Sequence, residues 1–85
     1  MLERTIEKEI RAFLADVAPS EADVAAQLPV NARIWNVIDS LSLLDFVDYL
    51  EHRFDFRVEP IEFIPENFET IERIIAYVGK RLDDR

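Results

Sequence analysis

Val37-Ile38-Asp39-Ser40-Leu41-Ser42-Leu43-Leu44-Asp45 is the stretch on which the fold turns. It opens a run in which Leu43, Phe46, Leu50 and Phe54 or Val47 recur at helical spacing. Asp45, Asp48, Glu51 and His52 fall toward solvent. The pattern predicts a helix from about Ser40 to Phe54. Asp39 stands just before it, where a carboxylate accepts hydrogen bonds from first-turn N–H groups that lack partners inside the helix. A hydroxyl at such an N-terminus projects into solvent, where the helix dipole favours an attached phosphate. Ser40 has no activating partner in the sequence. The one histidine, His52, lies twelve residues on along the same helix, more than three turns away at roughly 1.5 Å per residue. A nucleophile and its base must hydrogen-bond, so a Ser-His-acid hydrolase does not fit.

Outward from this stretch the chain reads as helical. From about Glu3 to Val17, Ile6, Ile10, Phe13, Leu14 and Val17 form one apolar stripe, and Pro19-Ser20 closes the helix. The connection from Ala18 to Asp39 is long for so small a chain, which points to an ordered loop. Ser20-Glu21-Ala22-Asp23 can start a short helical turn capped by Ser20. Leu28, Val30, Ile34, Trp35 and Ile38 are the apolar anchors expected to fix the loop, with Trp35 read as a packing residue. After Phe54, Asp55-Phe56-Arg57-Val58-Glu59-Pro60 reads as an extended connection. Pro65 opens a short helix to Phe68, and Thr70 caps a last helix whose Ile71, Ile74, Ile75, Val78 and Leu82 make another stripe. Gly79 weakens its last turns slightly.

Composition narrows the function. The 85 residues make one domain, 1–85, whose hydrophobic content of 49% is enough for a single core. With no cysteine, disulfides and thiolate metal sites are excluded; no metal-ligand cluster and no catalytic constellation emerges. No apolar run approaches the roughly 18 residues of a membrane span, and Met1-Leu2-Glu3-Arg4 lacks a signal-peptide pattern, so a cytoplasmic location is expected. Ten basic against eighteen acidic residues give a net charge of −8, which repels nucleic acid and anionic lipid and favours proteins with basic docking patches. From Glu59 through Glu72 there are five glutamates and no Lys or Arg, a run that serves either helix solvation or recognition.

Asp-Ser pairs begin helices in many proteins; the frame around this one carries the reading. Asp39-Ser40-Leu41 resembles the modification site of acyl and peptidyl carrier proteins. Leu44, the pair Leu50-Glu51 and Phe54 fall where that family's second helix carries its recognition residue, its Leu-Glu pair and its closing phenylalanine. Arg57-Val58 and Asn67-Phe68-Glu69-Thr70-Ile71 are similar to the steps that follow. The resemblance spans nearly the whole chain. It implies an all-α, acyl-carrier-protein-like four-helix bundle with a long first loop and a short third helix, expected as a monomer.

The resemblance further implies that Ser40 carries a covalent phosphopantetheine, whose thiol holds an acyl or aminoacyl group as a thioester, and that the chain catalyses nothing. The implied partners are a phosphopantetheinyl transferase, which supplies the base, the Mg²⁺ and the coenzyme A, then a loading ligase and downstream transferases. Asp39 caps the helix and assists recognition; Leu41 and Leu44 contact partner enzymes; Asp45, Asp48 and Glu51 meet basic patches. Core packing is the competing account of the leucines, stronger for Leu41 than for Leu44. Two departures matter. Val37 replaces a glycine often found two residues before the aspartate, and Asp48 stands where fatty-acid carriers commonly have an apolar residue. The second favours a specialised biosynthetic carrier, among them the D-alanyl carrier relatives. The alternative is an unmodified acidic helical adaptor that binds a basic protein partner.

Overall fold

The apolar stripes become the buried faces of helices. The computed structural model describes residues 2–17, 20 and 22–84, and leaves the side chains of Ala22, Asn36 and Ser40 outside that description. Helix α1 (Leu2–Val17) is followed by α2 (Ala22–Gln27), a 3₁₀ turn at Ile34–Asn36, α3 (Ser40–Phe54), a second 3₁₀ turn at Pro60–Glu62, α4 (Pro65–Phe68) and α5 (Ile71–Asp83). The architecture is the all-α bundle expected, with three long helices, a long first connection and the short helix Pro65–Phe68. Among the described residues, extended pairing is confined to an isolated antiparallel bridge between Arg33 and Thr70.

Ile6, Ile10 and Leu14 of α1, Phe46 and Leu50 of α3, and Ile71, Ile74 and Val78 of α5 meet in one core with Ile34 and Phe68. Each such side chain contributes about 1.5–3 kcal/mol by leaving water. Helix α1 packs closely on α2 and α5, and α4 on α5. Arg11 strengthens the first of these contacts: it pairs with Glu7 at 2.8 Å and donates to the Ala25 and Ala26 carbonyls at 3.0 and 3.2 Å, satisfying carbonyls at the end of α2. Helix α3 stands off at a wider spacing, filled by rings. Phe13 lies 5.1 Å from both Phe46 and Tyr49, centroid to centroid. The Tyr49 hydroxyl donates to the Glu9 carboxylate, which also pairs with Arg53 at 3.1 Å.

Several details differ from the sequence expectation. The short helix after Ser20 begins at Ala22; Pro19 and Glu21, on which the closure of α1 and the capping of α2 depend, lie outside the described residues. Trp35 does not pack inside: it is 41% exposed, whereas Ile34 is fully buried. A 3₁₀ turn advances about a third of a turn per residue, so burying Ile34 swings its neighbour out. Val30 is exposed as well. The connection after α3 is not extended throughout. Asp55 turns it in the left-handed region (φ 55°, ψ 60°), and Pro60–Glu62 forms the second 3₁₀ turn. Tyr77, absent from the expected stripe, is buried.

Candidate functional site

The loop that delivers the chain to α3 is staked to the start of α5. Glu72 N–H donates to the Val30 carbonyl and Ile34 N–H to the Glu69 carbonyl, both at 2.9 Å, and Arg33 pairs with Glu69 at 2.9 Å. Val37 and Ile38 N–H groups then close back on the Ile34 carbonyl at 2.9 and 3.0 Å. Ile34 and Ile38 are buried, and Val37 is half-buried against the core. The Val37 backbone is right-handed (φ −116°, ψ −40°), a conformation any L-residue adopts. The loop therefore passes this point without needing glycine.

Asp39 ends the approach in an extended conformation (φ −98°, ψ −177°), and its Oδ1 accepts the Ser42 N–H at 2.9 Å. The expected cap is formed. Hydrogen bonding from Ser42 holds the Asp39 carboxyl below its ordinary pKa, so it is ionised at neutral pH. Ser40 is the first residue of α3; its side chain lies outside the described residues.

Beyond Ser40, Leu41, Leu44, Asp45, Asp48 and His52 are all exposed. Their offsets of three, four, seven and eleven place them in one stripe, opposite the buried Leu43, Phe46, Leu50 and Phe54. Core packing is overturned as the account of the leucines, most clearly for Leu41, which is 77% exposed against 56% for Leu44. The physical reason is angular: at 3.6 residues per turn Leu41 sits about 160° from Leu43. Glu51 departs in the other direction. It is half-buried, and its Oε2 accepts the Val58 N–H at 2.8 Å, so it faces the chain that follows α3 instead of open solvent. His52 places Nδ1 2.9 Å from the Asp48 carbonyl oxygen, and this bond, with the nearby Asp48 carboxylate, raises its pKa. It is a solvated residue of the stripe, far along the helix from Ser40.

A second group of exposed apolar residues was not anticipated: Ile61, Phe63 and Ile64, with Ile61 83% exposed. They flank Glu62, which the fold clamps. Asn67 Nδ2 donates to the Glu62 carbonyl at 2.7 Å, Tyr77 Oη to its carboxylate at 2.9 Å, and Arg81 forms an ion pair with it. Burial alone would raise the Glu62 pKa, but the Tyr77 and Arg81 contacts hold it low; burial and then Glu62 push Tyr77 up to about 12. Of the five glutamates in the acidic run, Glu62 and Glu69 are thus committed to internal ion pairs, while Glu59, Glu66 and Glu72 are exposed. The surplus of Glu over cations from 59 to 72 was visible in the sequence; which glutamates are occupied was not.

Comparison with known proteins supplies the context for this geometry. The chain is 30% identical over 77 residues to the D-alanyl carrier protein of Abiotrophia defectiva, an alignment covering 91% of this chain and 96% of that protein. The chain belongs to the carrier-protein family. No family model matches it. A carrier protein is a substrate of enzymes and not a catalyst itself. In this carrier protein, the capped start of α3 and the exposed stripe running from it form one continuous surface. No described helix is long and apolar enough to cross a membrane.

Proposed function

We propose that residues 1–85 act as one carrier domain, in which Ser40 takes a covalent phosphopantetheine and presents an aminoacyl group to partner enzymes. The observation that carries this reading is the capped first turn of α3. Asp39 satisfies the Ser42 amide, and the flanking Asp39 and Leu41 are both exposed. A transferase has open access there, and the first-turn N–H groups and dipole favour a phosphodiester. In the modification, the Ser40 hydroxyl oxygen attacks the phosphorus that bears the pantetheine in coenzyme A. A new phosphorus–oxygen bond forms, the diphosphate bridge breaks to release adenosine 3′,5′-bisphosphate, and the serine proton passes to the transferase. When bound, the group supplies a thiol that holds the cargo as a thioester.

The named cargo of the relative, D-alanine, and the charged Asp48 in the stripe support an aminoacyl cargo over a long fatty chain. Leu41 and Leu44 supply apolar contact to the transferase, the loading ligase and the downstream transferase, while Asp45 and Asp48 supply charge for basic patches on them. Glu51 is assigned to holding the chain after α3.

Incubation with coenzyme A and a broad-specificity phosphopantetheinyl transferase is expected to add one phosphopantetheine by intact-mass spectrometry. Ser40→Ala blocks the addition. A wild-type mass unchanged after several transferases overturns the proposal. The unmodified-adaptor reading makes the opposite forecast, with partner binding indifferent to Ser40→Ala.

A further inference from the structure

We propose that the exposed indole of Trp35 is a docking surface for the phosphopantetheine arm itself, holding its pantoyl portion against the protein between visits to partner enzymes. This rests on Ser40 as the attachment point.

Trp35 is the chain's single tryptophan and 41% exposed, while Phe46, Phe54, Phe68 and Tyr77 are buried. Trp35 thus leaves part of a large apolar ring in water, with an N–H that can take a polar partner. Fraying does not explain it. The turn that carries Trp35 is fixed by the Ile34 N–H bond to the Glu69 carbonyl and by the Val37 and Ile38 bonds to the Ile34 carbonyl. The backbone holds the ring outward.

Position selects the occupant. Trp35 is five residues from Ser40, at most about 18 Å of fully extended chain, and the turn closed between Ile34 and Ile38 shortens that span. An arm rooted at Ser40 therefore meets the indole at the high effective concentration of a short tether, which a free partner must match from solution. Leu41 and Leu44 are exposed beside Ser40 as well, on the α3 stripe already assigned to partner enzymes; Ile61, Phe63 and Ile64 belong to the segment that Glu62 fastens to Tyr77 and Arg81, in the later turns of α5. Trp35 is fastened beside Glu69 and Thr70, at its start. Trp35 is the exposed aromatic ring nearest Ser40 along the chain.

The chemistry matches. Past its phosphate the arm is uncharged: a geminal dimethyl group, two amides and a short aliphatic tail. Methyls and amide planes lose water against an aromatic face without needing a cation. The surface charge of −8 leaves such neutral groups unaffected.

Because Trp35 is the sole indole, its emission reports on this contact alone. The apo chain is converted to the phosphopantetheine form with a transferase, conversion is read by intact mass, and the two forms are compared after removing the transferase. The expected result is emission at shorter wavelength, weaker quenching by acrylamide, and nuclear Overhauser effects between the pantoyl methyls and the indole ring. Trp35→Gln, at an exposed site with the circular dichroism of the wild type, releases the arm amides to fast motion by ¹⁵N relaxation, and Trp35→Phe restores slower motion. A mass increase with unchanged emission, unchanged quenching and no Overhauser effect overturns the inference and leaves the attachment site standing. Protection of the indole only when a transferase or ligase is added overturns it too, in favour of a partner surface. No mass increase overturns the attachment reading and this inference together.

Discussion

The Glu51 carboxylate accepts the Val58 backbone N–H at 2.8 Å, so the last full turn of α3 holds down the strand of chain that leaves it. Phe56 N–H returns to the Glu51 carbonyl at 3.2 Å, and the left-handed Asp55 makes the reversal between them. One residue thus uses both its main chain and its side chain to end the helix and aim the next segment.

Glu51→Ala removes the acceptor and leaves a half-buried amide unpaired. The expected loss is about 1–2 kcal/mol of folding stability, read as a lower urea midpoint with unchanged slope. Glu51→Gln keeps an acceptor and is expected to lose less.

Asp39→Ala deletes the cap of α3 and is expected to cost about 1 kcal/mol. Asp39→Asn keeps an oxygen acceptor for the Ser42 N–H but loses the charge that the fold favours, and is expected to fall between Asp39→Ala and wild type in thermal denaturation. If Asp39 also contributes its charge to transferase recognition, the two variants share a slower rate of phosphopantetheine addition, measured by mass, while differing in stability.

Leu41→Ala and Leu44→Ala truncate side chains that point away from the core. Each is expected to stay within about 0.5 kcal/mol of wild-type stability while raising the KM of the modifying or loading enzyme. Loss of several kcal/mol in chemical denaturation would return these leucines to the core.

Gly79 is helical, and a methyl group added there meets nothing within 4 Å. Gly79→Ala is expected to stabilise α5 by about 0.5–1 kcal/mol, raising Tm by roughly 2–8 °C in a differential scanning experiment.

Stability should fall at both ends of the pH scale, with identifiable groups at each. Glu9, lowered chiefly by the Tyr49 hydroxyl, Asp39, lowered by Ser42, and Glu62, held low despite burial, all favour their charged forms in the fold. Their contribution is complete above the ordinary carboxylate pKa and is lost as pH falls through their depressed values. Tyr77 is the reverse. Burial and Glu62 raise it from 10 to about 12, so its contribution is complete below pH 10 and drains away toward pH 12. Denaturant midpoints measured across pH trace both limbs, and Tyr77→Phe flattens the alkaline one.

Much of this molecule was legible because its signals are local. The bounds of α3, the caps at Asp39 and Thr70, and the faces of α1 and α5 depend on residues a turn or less apart. What escaped depends on distant partners. Tyr77 is buried because Glu62, fifteen positions earlier, takes its hydroxyl. Glu51 turns inward because Val58 folds back to it. The exposure of Trp35 follows from a 3₁₀ turn pinned by Glu69, and three residues offer no periodicity to read. Leu41 is a different case: its angle to Leu43 was available in the spacing, and apolar composition outweighed it.

Glu9 has a reach larger than its size. By holding Tyr49 and Arg53 it ties α1 to the later half of α3, while Ser40 sits nine residues before Tyr49, roughly 13 Å along the axis. The tie acts together with Leu43 and Phe46, buried between that contact and the start of the helix. Each degree of tilt about that contact sweeps the serine through roughly a quarter of an ångström by the same rise per residue. A carboxylate on the first helix therefore helps set where Ser40 stands, and with it any group attached there.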